Sequence, residues 1–120
     1  MTELKISISE EMPSNITIVN ISGIIDARTV LEMEKVLTSF ISGDSKGIIL
    51  NFSSVDYIST PGWSALVAAY QKLKEQGREI VLTNMIPNVV ENYLQLEFDK
   101  IIQSFETIKD AKRFFDEIDN

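Results

Sequence analysis

The chain reads as a small α/β domain on a mixed β-sheet, and three observations carry that reading. Apolar and polar residues alternate near the N-terminus, then the apolar spacing turns helical, then short apolar runs alternate with helical stretches. Only 5 Gly and 3 Pro occur in 120 residues, and no Ser-rich or charged tract interrupts them, so residues 1–120 are expected to form a single domain. A hydrophobic content of 44% is that of a folded chain, and at this length roughly two-thirds of the unfolded surface can be buried.

Residues 4–9 (LKISIS) alternate as a half-buried strand does. A turn is expected over Glu10–Asn15, around Pro13. Residues 16–22 alternate again, with Ile16, Ile18 and Asn20 on one face and Thr17, Val19 and Ile21 on the other. The short connection predicts a hairpin, and Gly23 ends it. From Ala27 to Ile41, Val30, Met33, Val36, Leu37, Phe40 and Ile41 fall at helical spacing. Residues 47–52 (GIILNF) form the apolar run of a buried strand. A loop, Ser53 to Trp63, is expected to follow and to open a helix from about Pro61 to Gln76 with Leu66, Ala69, Tyr70 and Leu73 inward and Gly77 at its C-terminal end. Residues 79–83 predict a strand, 88–95 a short helix and 100–104 a last short strand. Ala111, Phe114, Phe115 and Ile118 mark a final helix with a core-facing stripe. The order is β-β-α-β-α-β-α-β-α. Right-handed crossovers gather the strand-to-helix turns at one edge of the sheet, the usual place for function.

Composition closes much of enzyme chemistry. Cysteine and histidine are both absent. That removes disulfides, thiolate sites, the commonest general base and the usual partner of a nucleophilic serine. With 11 basic and 18 acidic residues the net charge is −7, and no cluster of Lys and Arg offsets it, so neither nucleic acid nor membrane is expected as a partner. No apolar run approaches the ~20 residues of a membrane span. The opening MTELKISISEE lacks the features of a signal peptide, and a cytoplasmic location is expected. No metal or cofactor is expected.

The segment that carries chemistry is Ser53-Ser54-Val55-Asp56-Tyr57-Ile58-Ser59-Thr60-Pro61-Gly62-Trp63. Proline suits the first helical positions and threonine the N-cap, so Thr60 is expected as the N-cap with its hydroxyl near the free backbone N–H groups. Two readings follow. Thr60 merely caps the helix, for ~1 kcal/mol. Alternatively it is a modifiable hydroxyl, since a phosphate of roughly −1.5 to −2 charges is tolerated at a helix N-terminus. Asp26 could cap the helix that follows it. Trp63 could anchor a partner or cover the sheet edge. Asp56 reads as a loop carboxylate.

The stretch I-S-T-P-G-W (residues 58–63), preceded by L-N-F-S-S-V-D-Y, resembles the STAS domains of bacterial anti-sigma-factor antagonists. Ile21-Ser22-Gly23-Ile24-Ile25-Asp26-Ala27 is similar to the segment before that family's first long helix. The resemblance covers residues 4–116. It implies a single STAS-like domain, a mixed sheet with helices packed mainly on one face, and a non-catalytic binding module. It puts Thr60 on the phosphoacceptor position, with Ser59 as the alternative. It implies partner contacts at Asp26, Ser59, Thr60, Pro61, Gly62 and Trp63. It also implies an anti-sigma factor that is a serine-protein kinase as partner, and a serine phosphatase as a transient one. In such partner switching, phosphorylation ends the complex. Pro61 stands where the family more often has a small residue, Trp63 where it has an aliphatic one, and Thr60 where serine is more usual.

Three other readings compete. A phosphoaspartate receiver would use Asp56, but it needs an acidic pair before a crossover helix, and Glu10-Glu11 precede a hairpin. A hydrolase using Ser59 or Thr60 would lack a histidine base and a nucleophile elbow. The serious rival is a STAS subunit of a transport or stress-signalling assembly that is never phosphorylated.

Overall fold

The structure is a computed structural model and describes residues 4–118, apart from residues 12–14. The expected turn around Pro13 therefore lies outside the described residues. Strands β1 (Lys5–Glu11) and β2 (Ile16–Ile25) pair antiparallel, with Ile8 opposite Val19. Helix α1 (Val30–Ile41) leads to β3 (Gly47–Ile58), α2 (Thr60–Glu75), β4 (Glu79–Thr83), α3 (Pro87–Gln95), a 3₁₀ turn (Phe98–Lys100), β5 (Ser104–Phe105) and α4 (Ile108–Ile118). The sheet order is β1-β2-β3-β4-β5, and every pair after the first is parallel. This is the expected mixed sheet.

Both faces of the sheet are covered, as the alternation in β2 requires. Val19, Ile21, Ile48, Leu50, Ile80 and Leu82 pack under α1, α2 and α3, against Met33, Leu37, Leu66, Leu73 and Val89. Ile16, Ile18, Ile49 and Val81 pack under α4, against Ala111 and Phe115. Three helices on one face and one on the other match the expected bias. Ile118, expected in the α4 stripe, is exposed.

Several boundaries differ from the sequence reading, and β2 passes through Gly23, which was expected to end it, as far as Ile25. α1 begins at Val30, because residues 26–29 close a tight turn in which the Thr29 and Val30 N–H groups both donate to the Asp26 carbonyl (3.1 and 2.8 Å). The last strand is Ser104–Phe105, not 100–104, because 98–100 curl into the 3₁₀ turn. Most consequentially, residues 53–58 of the expected loop Ser53–Trp63 are strand. β3 runs to Ile58, and its buried residues Phe52, Val55 and Ile58 recur every third position. Seven steps along β3, from Asn51 to Ile58, match five along β2, from Asn20 to Ile25. Such bulges shift the phase of the alternation and increase the local twist, and Gly23, at φ 120°, sits at one of these shifts.

Candidate functional site

The long β2–β3 ribbon ends where its two strands hand over to helices, and this junction forms the candidate site. Ile25 and Ile58 are register neighbours. One residue on, the Ser59 N–H donates to the Ile25 carbonyl at 2.8 Å. Gly62 then lies against the same strand end: a methyl there would meet Ile25 Cγ2 at 2.7 Å, Ile58 Cγ2 at 2.9 Å and the Ile25 carbonyl at 3.3 Å. Glycine lets the first turn of α2 press onto β2 and β3, at the strand end that Asp26 follows.

Helix α2 starts one residue earlier than expected. Ser59, with φ −82° and ψ 171°, is the N-cap, Thr60 is the first helical residue and Pro61 the second. The first helical bond runs from the Trp63 N–H to the Ser59 carbonyl (3.0 Å). Proline has no N–H to leave orphaned in this turn. No side-chain cap bond forms, and the Ser59 Oγ is buried without a hydrogen-bond partner. Thr60 is therefore not the cap; it stands exposed on the first turn, as does Pro61.

Asp26 occupies the neighbouring turn. Its Oδ1 accepts the Arg28 N–H at 2.9 Å, and its Oδ2 accepts Arg28 Nη2 at 2.8 Å and Nε at 3.3 Å. The side-chain hydrogen bonds from Arg28 hold the Asp26 carboxyl below its ordinary range, and the pairing pushes the guanidinium up. Thr29, buried, donates its hydroxyl to the Ile24 carbonyl (2.7 Å) and accepts the Asp26 N–H (3.0 Å). Asp26 thus organises the turn before α1 rather than capping the helix directly.

Two expected partner-contact residues are corrected. Trp63 is 0% exposed, stacked on Phe98 with ring centroids 5.1 Å apart and tilted against Tyr93 at 5.8 Å. It anchors α2 to α3 and the 3₁₀ turn and presents no surface to a partner. Gly62 is buried as well, so its part is in packing. Asp56 is an exposed strand residue whose carbonyl accepts Asn88 Nδ2 at 3.1 Å. The exposed residues of the two turns include Ala27, Arg28, Thr60 and Pro61, with Tyr57 43% exposed on the preceding strand. The sequence reading missed Arg28 and Thr29 and gave Tyr57, within the segment it singled out, no role of its own. The Asp-x-Arg-Thr run was its one available signal, because a carboxylate two residues before an arginine can close a turn on itself.

A family model for the STAS domain matches residues 7–111. The chain belongs to the STAS domain family. Among solved structures, this STAS domain is similar to an anti-sigma factor antagonist from Mycobacterium paratuberculosis (22% identity, 94% of each chain covered, TM-score 0.82). It is also similar to the Bacillus cell fate determinant SpoIIAA in its phosphorylated form (14% identity, 92% of this chain and 99% of that one, TM-score 0.68). A third likeness is to murine Slc26a9, an anion transporter (15% identity, TM-score 0.78), where the match takes in 98% of this chain and 22% of the transporter. At these identities the likeness is one of fold. Among the described residues no helix of this STAS domain is long and apolar enough to cross a membrane.

Proposed function

We propose that this STAS domain is an anti-sigma-factor antagonist: a non-catalytic module that binds an anti-sigma factor which is also a serine-protein kinase, and that phosphorylation of Thr60 drives the two apart. One observation carries the reading. Thr60 is an exposed hydroxyl on the first turn of a 16-residue helix, and that helix is fastened to the sheet through the buried residues that follow it. In the transfer, the γ-phosphoryl of ATP moves to the Thr60 Oγ1, the hydroxyl proton leaves to a base of the kinase, and ADP departs. A phosphatase would hydrolyse the ester with water, returning the Thr60 hydroxyl and releasing inorganic phosphate.

The physics favours a binding switch over an unfolding event. The helix dipole and the free N–H groups of the first turn accommodate an anion there. A partner that buries the same point must desolvate an uncompensated charge, which costs several kcal/mol. At 1.4 kcal/mol per tenfold, ~4 kcal/mol weakens the complex about a thousandfold. Ser59 is the weaker acceptor of the two, since its Oγ is buried.

Incubation with the cognate kinase and ATP should add one phosphate to the intact chain and none to Thr60→Ala. Thr60→Glu should weaken capture by the anti-sigma factor while the far-UV spectrum stays the same. Phosphate incorporation that survives the alanine change removes Thr60 as the acceptor. No incorporation at all favours the unphosphorylated STAS subunit.

A further inference from the structure

The turn between β2 and α1 holds a charge that the reading above leaves unused. The four turns at the carboxyl ends of the parallel strands, residues 26–29, 59, 84–86 and 106–107, contain a single cation, Arg28. Its guanidinium is engaged on Asp26, yet its side chain is 69% exposed, whereas the Asp26 side chain is 18% exposed. Arg28 is therefore held by one partner while remaining open to another. Paired parallel strands lie ~4.8 Å apart. The Ser59-to-Ile25 bond and the seat of Gly62 on the Ile25 carbonyl continue that spacing past the ends of the strands. Asp26 directly follows Ile25 and Thr60 directly follows Ser59, so the turn that holds the Asp26–Arg28 pair and the turn that begins α2 are neighbours.

Resting on the reading that Thr60 takes a phosphate, we propose that Arg28 is the residue that receives it, moving from the Asp26 carboxylate to the phosphothreonine. Without a counter-charge, phosphorylation places a dianion beside a carboxylate, a like-charge approach that both groups resist. The guanidinium fork fits a phosphate as well as a carboxylate, and the phosphate offers more charge and three acceptor oxygens. Asp26 keeps the Arg28 backbone N–H on Oδ1, so the turn retains its closure when the side chain leaves. Modification then changes two surface features together: a negative charge appears at Thr60, and the Arg28 head moves from one turn to the next. Arg28 is in this sense a positioning residue for the switch.

The test uses the full chain with phosphothreonine installed at position 60 during synthesis, so that no kinase is required. The phosphate is titrated by phosphorus NMR and the Asp26 carboxyl by carbon NMR, in the unsubstituted chain, in Arg28→Ala and in Arg28→Lys. The second phosphate pKa should rise by about half a unit or more in Arg28→Ala, as loss of a nearby cation requires, and Arg28→Lys should restore part of it. The Asp26 carboxyl should titrate at higher pH in the phosphorylated chain than in the bare one, and this difference should shrink in Arg28→Ala. Superimposable phosphate titrations, or an Asp26 titration that phosphorylation leaves unmoved in the unsubstituted chain, overturn the proposal. A far-UV spectrum and a cooperative unfolding transition kept by the bare variants, at whatever midpoint, separate the effect from a loss of structure. The kinase experiment with Thr60→Ala tests the underlying reading separately, so each failure is read in its own measurement.

Discussion

Trp63 shows how far a residue's role depends on its surroundings. Its position three residues after Thr60 suits an exposed anchor as well as a packing residue, and the structure places it in the core on Phe98 and Tyr93. Trp63→Ala should cost about 3–5 kcal/mol in urea unfolding, as large-to-small changes in cores do. Trp63→Phe should cost less than half of that, because it keeps the ring stacking and removes the indole N–H, which is buried without a partner. As Trp63 is the one tryptophan, its emission should be blue-shifted in the folded chain and unmoved by a bound partner. A partner-induced shift would return Trp63 to the interface. Asp26 supplies a pH signature. Arg28 lowers its pKa in the folded chain, while the unfolded chain titrates near ~3.9. The unfolded state therefore takes up the proton first as pH falls. The stabilisation is present above the ordinary Asp range and is lost as pH drops through the lowered value. Denaturation curves of the natural chain and Asp26→Asn should be separated by a constant amount from pH 7 to about 5 and converge below about 4. A gap that does not narrow at all between about pH 5 and the acid limit of the folded chain would mean that Asp26 acts through packing instead of charge.

At the scale of elements, the junction of β2, β3 and α2 is a matter of close approach. Glycine at position 62 is a poor helix former by about 1 kcal/mol, and alanine there would remove that deficit. The added methyl, however, would lie under 3 Å from two β-branched side chains, whose Cγ2 atoms cannot swing aside without a rotamer change. Gly62→Ala should therefore destabilise by roughly 1–3 kcal/mol, read as a lower urea midpoint. A stabilised variant would show that the junction yields. β3 explains why the sequence was legible up to this point and not beyond it. Through Phe52 its apolar run declares a strand. After Phe52 the bulges break the period of two, so Val55 and Ile58 fall at spacings that match neither an alternating strand nor a loop. Ser53, Ser54 and Asp56, all exposed, then imitate a turn. The start of α2 was legible to within one residue, because Pro61 and the hydroxyl residues before it leave few places for a helix to begin.

At the scale of the molecule, the two-sided sheet sets where function can lie. α1, α2 and α3 cover one face and α4 the other, while the carboxyl-terminal half of β3 leaves Ser53, Ser54, Asp56 and Tyr57 exposed, so solvent reaches the end of the β2–β3 ribbon and the turns that follow it. The net charge of −7 makes an added phosphate the same sign as most of the surface, and Arg28 the local exception. The order of elements, the two faces of β2, the mixed sheet and the hydroxyl at the head of α2 were determined by the sequence alone, because each is written in local spacing or in one or two residue types. Tertiary structure decided the rest: that β3 goes on pairing with β2 as far as Ile58, that Trp63 and Gly62 are packing residues, and that the turn of Asp26 and Arg28 neighbours the turn that begins α2. Those facts depend on pairing register and on contacts between residues distant in the chain, and no local pattern encodes which bulge a strand adopts or which neighbour a side chain meets.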